Sequence, residues 1–208
     1  MNKKILLTAT AIVAALALSA CSEAPPPAAK VDTEKKEPAK APEAVSAQRA
    51  YYEMYKPARA WTNDLLALSV DSGEVPNIKN EGGKAGLWKA VFVSPSLKQA
   101  RTFTYAVADS GTDIRKGMNI GNVMPWGGAT PTSKPFSNSE FSVDSEAAYK
   151  AAAEAAAGWL SAHPGQAAPT FRLGNASRFA APIWYIKWGT DKNGYAALVN
   201  ATTGAVVK

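Results

Sequence analysis

Two stretches of the chain space their apolar residues as helices do, and each is followed by runs that read as strands. In the first stretch, Tyr51, Met54, Ala58, Trp61, Leu65 and Leu68 recur at alternating steps of three and four, making one apolar stripe. Pro57 falls inside this helix. It either kinks the helix or opens a second one, because proline fits a first helical position. In the second stretch, Asp144 stands where an N-cap is needed and Glu146 in the first turn. Ala148, Ala152, Ala155 and Trp159 share a face, and their small side chains permit close approach to a sheet. Gly158 and then His163-Pro164-Gly165 end the helical pattern.

The strand-like runs after the first helix are Leu87 to Val93, Arg101 to Val107 and Gly117 to Met124, with a Ser94-Pro95-Ser96 turn. After the second they are Thr170 to Leu173, Pro182 to Trp188, Tyr195 to Asn200 and Ala205 to Val207. Asn193-Gly194 is a hairpin signal, and Thr202-Thr203-Gly204 makes the last turn. The two helices also share a motif: Ala50-Tyr51 and Ala148-Tyr149 are each followed, ten residues after the tyrosine, by Trp61 and Trp159. The expected fold class is therefore α+β, with two similar halves in tandem, each a helix laid on an antiparallel sheet. Residues 46–125 form the first half and 140–208 the second. The Gly-, Pro-, Ser- and Thr-rich segment 126–139 is the connector. On this reading Trp61, Trp88, Trp159 and Trp184 belong to the core.

The N-terminus reads differently. Lys3 and Lys4 precede an apolar run, Ile5 to Ala17, that is shorter than the roughly 20 residues a spanning helix needs. A charged start, a short apolar core and small residues at a cleavage point describe a secretory signal peptide. Leu18-Ser19-Ala20-Cys21 resembles the lipobox of bacterial lipoproteins. That resemblance implies removal of residues 1–20 and acylation of Cys21, the single cysteine of the chain, with palmitate-type acyl chains as the anchor. Ser22 is not the aspartate linked to inner-membrane retention, so the resemblance implies the periplasmic face of the outer membrane in a Gram-negative cell.

Residues 21–45 follow as the acylated cysteine and a Pro/Ala-rich tether. From Ser22 to Val45 there is no aromatic residue, and the segment includes Pro25-Pro26-Pro27, Pro38 and Pro42. Such a composition cannot bury enough apolar surface to offset ordering entropy. Extended, the tether reaches about 75 Å at roughly 3.1 Å per residue. Beyond it, residues 46–208 carry 17 Lys and Arg against 12 Asp and Glu, a net charge of +5. These cations are dispersed, without the clustering that marks nucleic-acid binding.

The second half carries one further pattern. Val143-Asp144-Ser145-Glu146-Ala147 opens a helix, Pro182-Ile183-Trp184-Tyr185-Ile186 is a proline-led aromatic strand, and Leu198 to Val206 closes on Ala201-Thr202-Thr203-Gly204. Over about 141–208 this resembles the PepSY domain, and the first half would be a diverged copy. Asn200 and Ala205 depart from the family's usual aspartate and glutamate. Asn200 keeps the turn-forming role, since its side chain can bond its own backbone two residues on. The resemblance implies an exported, non-catalytic module linked to control of envelope peptidases.

Catalytic constellations are not legible. His163 is the single histidine and sits at a predicted helix C-terminus, where it suits the helix dipole. Asp109 and Asp113 lie in a turn-like Ala108-Asp109-Ser110-Gly111-Thr112-Asp113, without the spacing of an EF-hand. Glu140 and Asp144 suit capping. Gly82-Gly83-Lys84 lacks the remainder of a phosphate loop. The expectation is a membrane-anchored binding module with no cofactor, no metal and no nucleic-acid partner, contacting another envelope protein as a peptidase regulator or inhibitor. An envelope-structural or wall-glycan-binding role is the alternative, and a carboxylate-dependent hydrolase the second. Trp126, in the connector, and Trp188, at a strand end beside a turn, are the candidate partner-binding residues.

Overall fold

The computed structural model describes residues 41–166 and 168–207. The signal peptide, Cys21 and the tether up to residue 40 lie outside the described residues. In chain order the first elements are β1 (Val45–Ser46), α1 (Ala47–Trp61), β2 (Leu66–Gly73), β3 (Lys84–Ala85), β4 (Leu87–Ser94), β5 (Gln99–Ala106) and β6 (Gly117–Pro125). After the connector come α2 (Ser145–Ala155), α3 (Ala157–Ala162), β7 (Thr170–Gly174), β8 (Ile183–Trp188), β9 (Tyr195–Asn200) and β10 (Val206–Val207). The α+β class is as expected.

The halves do not form two separate sheets. Eight strands make one antiparallel sheet in the order β10-β9-β8-β7-β2-β4-β5-β6, and β1 pairs with β3 beside it. Each half contributes four strands in meander order, after α1 in the first half and after α2 and α3 in the second, and the first strand of each meander, β2 or β7, meets the other at the centre. Ser72 pairs with Trp88 and Leu173 with Trp184, which makes Asp71 and Arg172 equivalent positions. Those two residues also pair with each other, so a local two-fold axis passes between them. Arg172 Nε lies 3.6 Å from Asp71 Oδ1 on the face away from the helices.

The core fills the space between helices and sheet. Trp88 and Trp184 are fully buried, with ring centroids 6.3 Å apart and planes at 71°. A buried indole needs a partner for its N–H. Trp88 Nε1 donates to Val45 O and Trp184 Nε1 to Val143 O, each at 2.9 Å. Val45 and Val143 stand one residue before the N-caps of α1 and α2, so each tryptophan pins the entry to its own half's helix. These two tryptophans are the symmetric core pair. Trp61, at the end of α1, and Trp159, within α3, both expected in the core, are only partly buried.

The helix starts meet near the axis. Asp144 Oδ1 accepts from Ser145 N at 2.7 Å and from Gln48 N, in the other half, at 2.9 Å. Ser145 Oγ accepts from Ala47 N at 2.9 Å. One aspartate thus satisfies orphan donors of two helices. Gly83 packs on this junction with φ +87, and a Cβ there would fall 2.5 Å from Ser145 O. That is the role of a glycine pair that superficially suggests a phosphate loop.

Two sequence expectations need correction. Pro57 does not open a second helix; α1 runs through it as a single element. The helical stripe ends earlier than its spacing suggests. Tyr51, Met54 and Ala58 form the buried face, but Leu65 lies beyond the helix and Leu68 belongs to β2. The break is set by Asp64, whose carboxylate accepts from Ser94 Oγ and Thr62 Oγ1 at 2.6 Å and from Ser96 N at 2.7 Å. These bonds, those from Ser94 and Thr62 foremost, hold Asp64 well below the usual carboxylate range.

Candidate functional site

A sheet is vulnerable at its edges, where backbone N–H and C=O groups lack partners. At one edge β10 has two residues. It follows a tight turn in which Asn200 Oδ1 accepts from Thr202 N at 2.8 Å and Thr203 N at 3.0 Å, the turn role expected of that asparagine. α2 packs over β8, β9 and β10, so the helix layer reaches this edge.

The other edge is different. β6, which has no strand on its outer side among the described residues, is nine residues long, and no residue from Gly117 to Pro125 is charged. Its partner register places Met118, Ile120 and Val123 on the helix side of the sheet, opposite Tyr105, Phe103 and Arg101. α1 lies over β5 and β4, one and two strands further in. The helix-side row of β6 is therefore poorly roofed: Ile120 is 49% exposed and Val123 42%, while Met124 on the other side is 49% exposed. A natural edge strand is commonly blunted by lysines, proline or shortness. Here the only proline closes the strand at Pro125.

The register shifts between Arg101 and Phe103, where Gly121 and Asn122 oppose Thr102 as a bulge. A Cβ on Gly121 would approach Thr102 O at 3.1 Å, so the close contact favours glycine. The Gly121 carbonyl accepts from Arg101 Nε at 2.9 Å, and the guanidinium sits 5.8 Å from the Phe103 ring centre. At the start of β6, Lys116 lines a hollow of about 430 Å³ that Pro42 also lines. The described chain therefore begins beside the N-terminal end of the open edge.

Of the sequence-nominated anchors, Trp126 follows directly on β6, half-buried, with its N–H donated to Lys98 O at 2.9 Å. Trp188 is 3% exposed, with ring centroids 6.2 Å from Tyr149 and 6.4 Å from Tyr195. It is a core residue, and the expectation of an exposed anchor there is corrected: α2 supplies the cover that a strand end beside a turn lacks in the sequence. The two tryptophans are not brought together. Loops 74–80 and 168–170 line an open hollow of about 800 Å³ between the halves, and Trp126 takes no part in it. Cys21 lies outside the described residues.

The groups weighed for catalysis have structural partners. His163 Nδ1 is 2.8 Å from Trp159 O, with its ring stacked on Trp159 at 4.3 Å. Glu140 Oε2 accepts from Ser137 N and Ser137 Oγ as a capping box. Asp109 accepts from Lys116 N at 2.7 Å, and Asp113 from Thr112 Oγ1, within the turn. Among the described residues no three His, Cys, Asp or Glu side chains gather as a metal would require, and no helix is long and apolar enough to cross a membrane.

No protein-family model matches the chain, so the PepSY resemblance rests on its motif. No curated protein matches it either. Among solved structures, a crystal structure of a "putative lipoprotein (CD1622)" from Clostridium difficile 630 is similar at 10% identity and a TM-score of 0.44, over 76% of this chain and 90% of that one.

Proposed function

We propose that this chain is a lipid-anchored envelope protein that works by binding, with β6 as the docking strand for an extended segment of another envelope protein. The observation that carries the reading is the uncharged, nine-residue edge with its half-exposed apolar row. In strand addition the backbone supplies affinity, and alternate side-chain contacts supply selectivity. The lipobox-like Leu18-Ser19-Ala20-Cys21 supports anchoring at Cys21, and Ser22 supports the outer membrane. The tether lets the domain search for a partner near its anchor. The PepSY-like motif makes a peptidase the partner class, with the chain as regulator or inhibitor and not as an enzyme.

The test is site-specific photo-crosslinking in the native envelope. A crosslinker at Ile120 captures one discrete envelope protein, whereas the same group at Val206 on the short edge captures none. Capture equal at both edges, or from neither, contradicts the reading. In the same cells Cys21→Ser moves the protein out of the membrane fraction; retention with no loss of acyl mass contradicts the anchor. Peptide or glycan turnover lost on Asp109→Asn or Glu140→Gln would overturn the non-enzymatic assignment.

A further inference from the structure

The reading of β6 as a docking strand leaves open what chemistry the incoming segment has, and the surroundings of the edge bear on it. The strand itself is neutral, but cations stand around it. Arg115 and Lys116 precede Gly117, Arg101 lies across the middle with its Nε on the Gly121 carbonyl, and Lys98 holds the Trp126 N–H through its own carbonyl at the far end. The acids near the start of the strand are Asp109 and Asp113, at the Arg115 end, and Glu43, which lines the same hollow as Lys116. Asp109 is engaged there, with Arg115 Nη1 3.8 Å away and Lys116 N donating to it. No acid belongs to β5 or β6, and Asp64, near the far end, is held by Ser94, Thr62 and Ser96, so Arg101 is the charge at the middle of the edge.

A second copy of this chain fits such an edge poorly. The antiparallel self-pairing that uses all nine residues is centred on Gly121. It would bring the two Arg101 guanidiniums, each fastened at Gly121, towards each other across the axis. Like charges brought towards each other repel, although Arg101 is one strand in from the pairing itself. The domain as a whole is also basic, which adds repulsion at long range.

We infer that the occupant of β6 is an extended acidic segment of a different protein. Its apolar residues alternate so that one row covers Met118, Ile120 and Val123, and carboxylates flank that row to meet Arg101, Lys98 and Lys116. This rests on β6 being the docking strand, and it adds the sign of charge and the exclusion of self-pairing. The apolar row determines which face of the incoming strand is buried, because a one-residue slip would turn that row to the other side of the sheet. The cations select among segments that share this alternation.

The experiment uses the full chain in detergent micelles and three labelled nine-residue peptides. The first has a Val-Thr alternating core with two glutamates at each end. The second replaces those glutamates by lysines. The third is the first with alternate backbone nitrogens methylated. The glutamate peptide binds at least about tenfold more tightly than the lysine peptide, and the gap narrows with salt because surface charges are screened. Arg101→Gln with Lys116→Gln also narrows it, Ile120→Asn weakens binding of the glutamate peptide, and the methylated peptide does not bind. Equal binding of the glutamate and lysine peptides overturns the acidic assignment but leaves strand addition standing. Sedimentation showing a dimer that Ile120→Asn dissociates, with neither peptide bound, overturns it in favour of a second copy. No peptide binding and no self-association removes the docking strand itself.

Discussion

The two edges of this sheet come from halves whose strands in it run in the same meander order, yet they are finished in different ways. In the second half the last strand is two residues long and the helix layer extends over it. In the first half the last strand is nine residues long, and α1 stays over β4 and β5. The cores beneath are closely alike: Trp88 and Trp184 share their burial, their strand position and their hydrogen bond to the residue before the helix cap. Symmetry is thus kept where packing and hydrogen-bond satisfaction constrain the residues, and it is lost at the rim. An edge strand that long and uncharged is an aggregation hazard unless something pairs with it, which is why the rim, and not the core, is where binding is placed.

The largest effects test the shared core. Trp88→Ala and Trp184→Ala each lower unfolding stability by about 3–5 kcal/mol in urea denaturation, since each empties a fully buried site and orphans a carbonyl. Trp61→Ala and Trp159→Ala fall clearly below that range. A Trp184→Ala loss far smaller than that of Trp88→Ala would break the equivalence of the halves.

Next comes the junction of the helices. Asp144→Ala costs about 2 kcal/mol, the upper end for a cap, because the carboxylate serves both α1 and α2. Ser46→Ala costs less, since Ser46 makes no side-chain cap bond despite its matching place before α1. Equal losses would mean that Asp144 does not serve α1.

A smaller effect depends on pH and comes from Asp64, just after α1. The Asp64 carboxyl titrates lower in the folded chain than in the unfolded one, because Ser94, Thr62 and Ser96 donate to its charged form. Its contribution is fully present above the unfolded value of about 3.9 and is lost as pH falls below that towards the folded value. Thermal unfolding followed from pH 6 down to about pH 2 should fall less steeply for Asp64→Asn than for the parent chain. Parallel curves would mean that the carboxylate is not differentially held.

The smallest stability change is at the rim. Ile120→Lys leaves stability within about 0.5 kcal/mol, as for an exposed site free of special contacts, while capture of the partner is lost. A large stability loss would make Ile120 a core residue and remove the contrast between the edges.

Most of the strands were legible because their apolar runs end at clear turn residues. The Gly117 to Met124 reading, for instance, differs from β6 by one residue. β2 was not legible, because Leu65 and Leu68 continue a three-and-four spacing whose helix has already ended; the break depends on hydroxyls at Ser94, some thirty residues away. The Tyr-to-Trp repeat nominated the wrong tryptophans for the core, and its second copy spans α2 and α3 where the first stays within α1. The Trp88–Trp184 pairing depends on strand order, which local spacing does not carry. The same reason explains the site. The lack of charge in Gly117 to Pro125 is visible in the sequence, but its meaning depends on β6 being outermost. Whether Trp188 is an anchor or is buried was not legible, because Tyr149, which covers it, comes from another element.

Hydrogen exchange of the full chain, alone and with the glutamate-flanked peptide, reads the docking strand residue by residue. Protection should rise at the outward-facing amides of Gly117–Pro125, with β10 and the loops at 74–80 and 168–170 unchanged. Protection gained at those loops instead, with β6 exchanging as before, would place the binding site in the groove between the halves and contradict the assignment of the open edge.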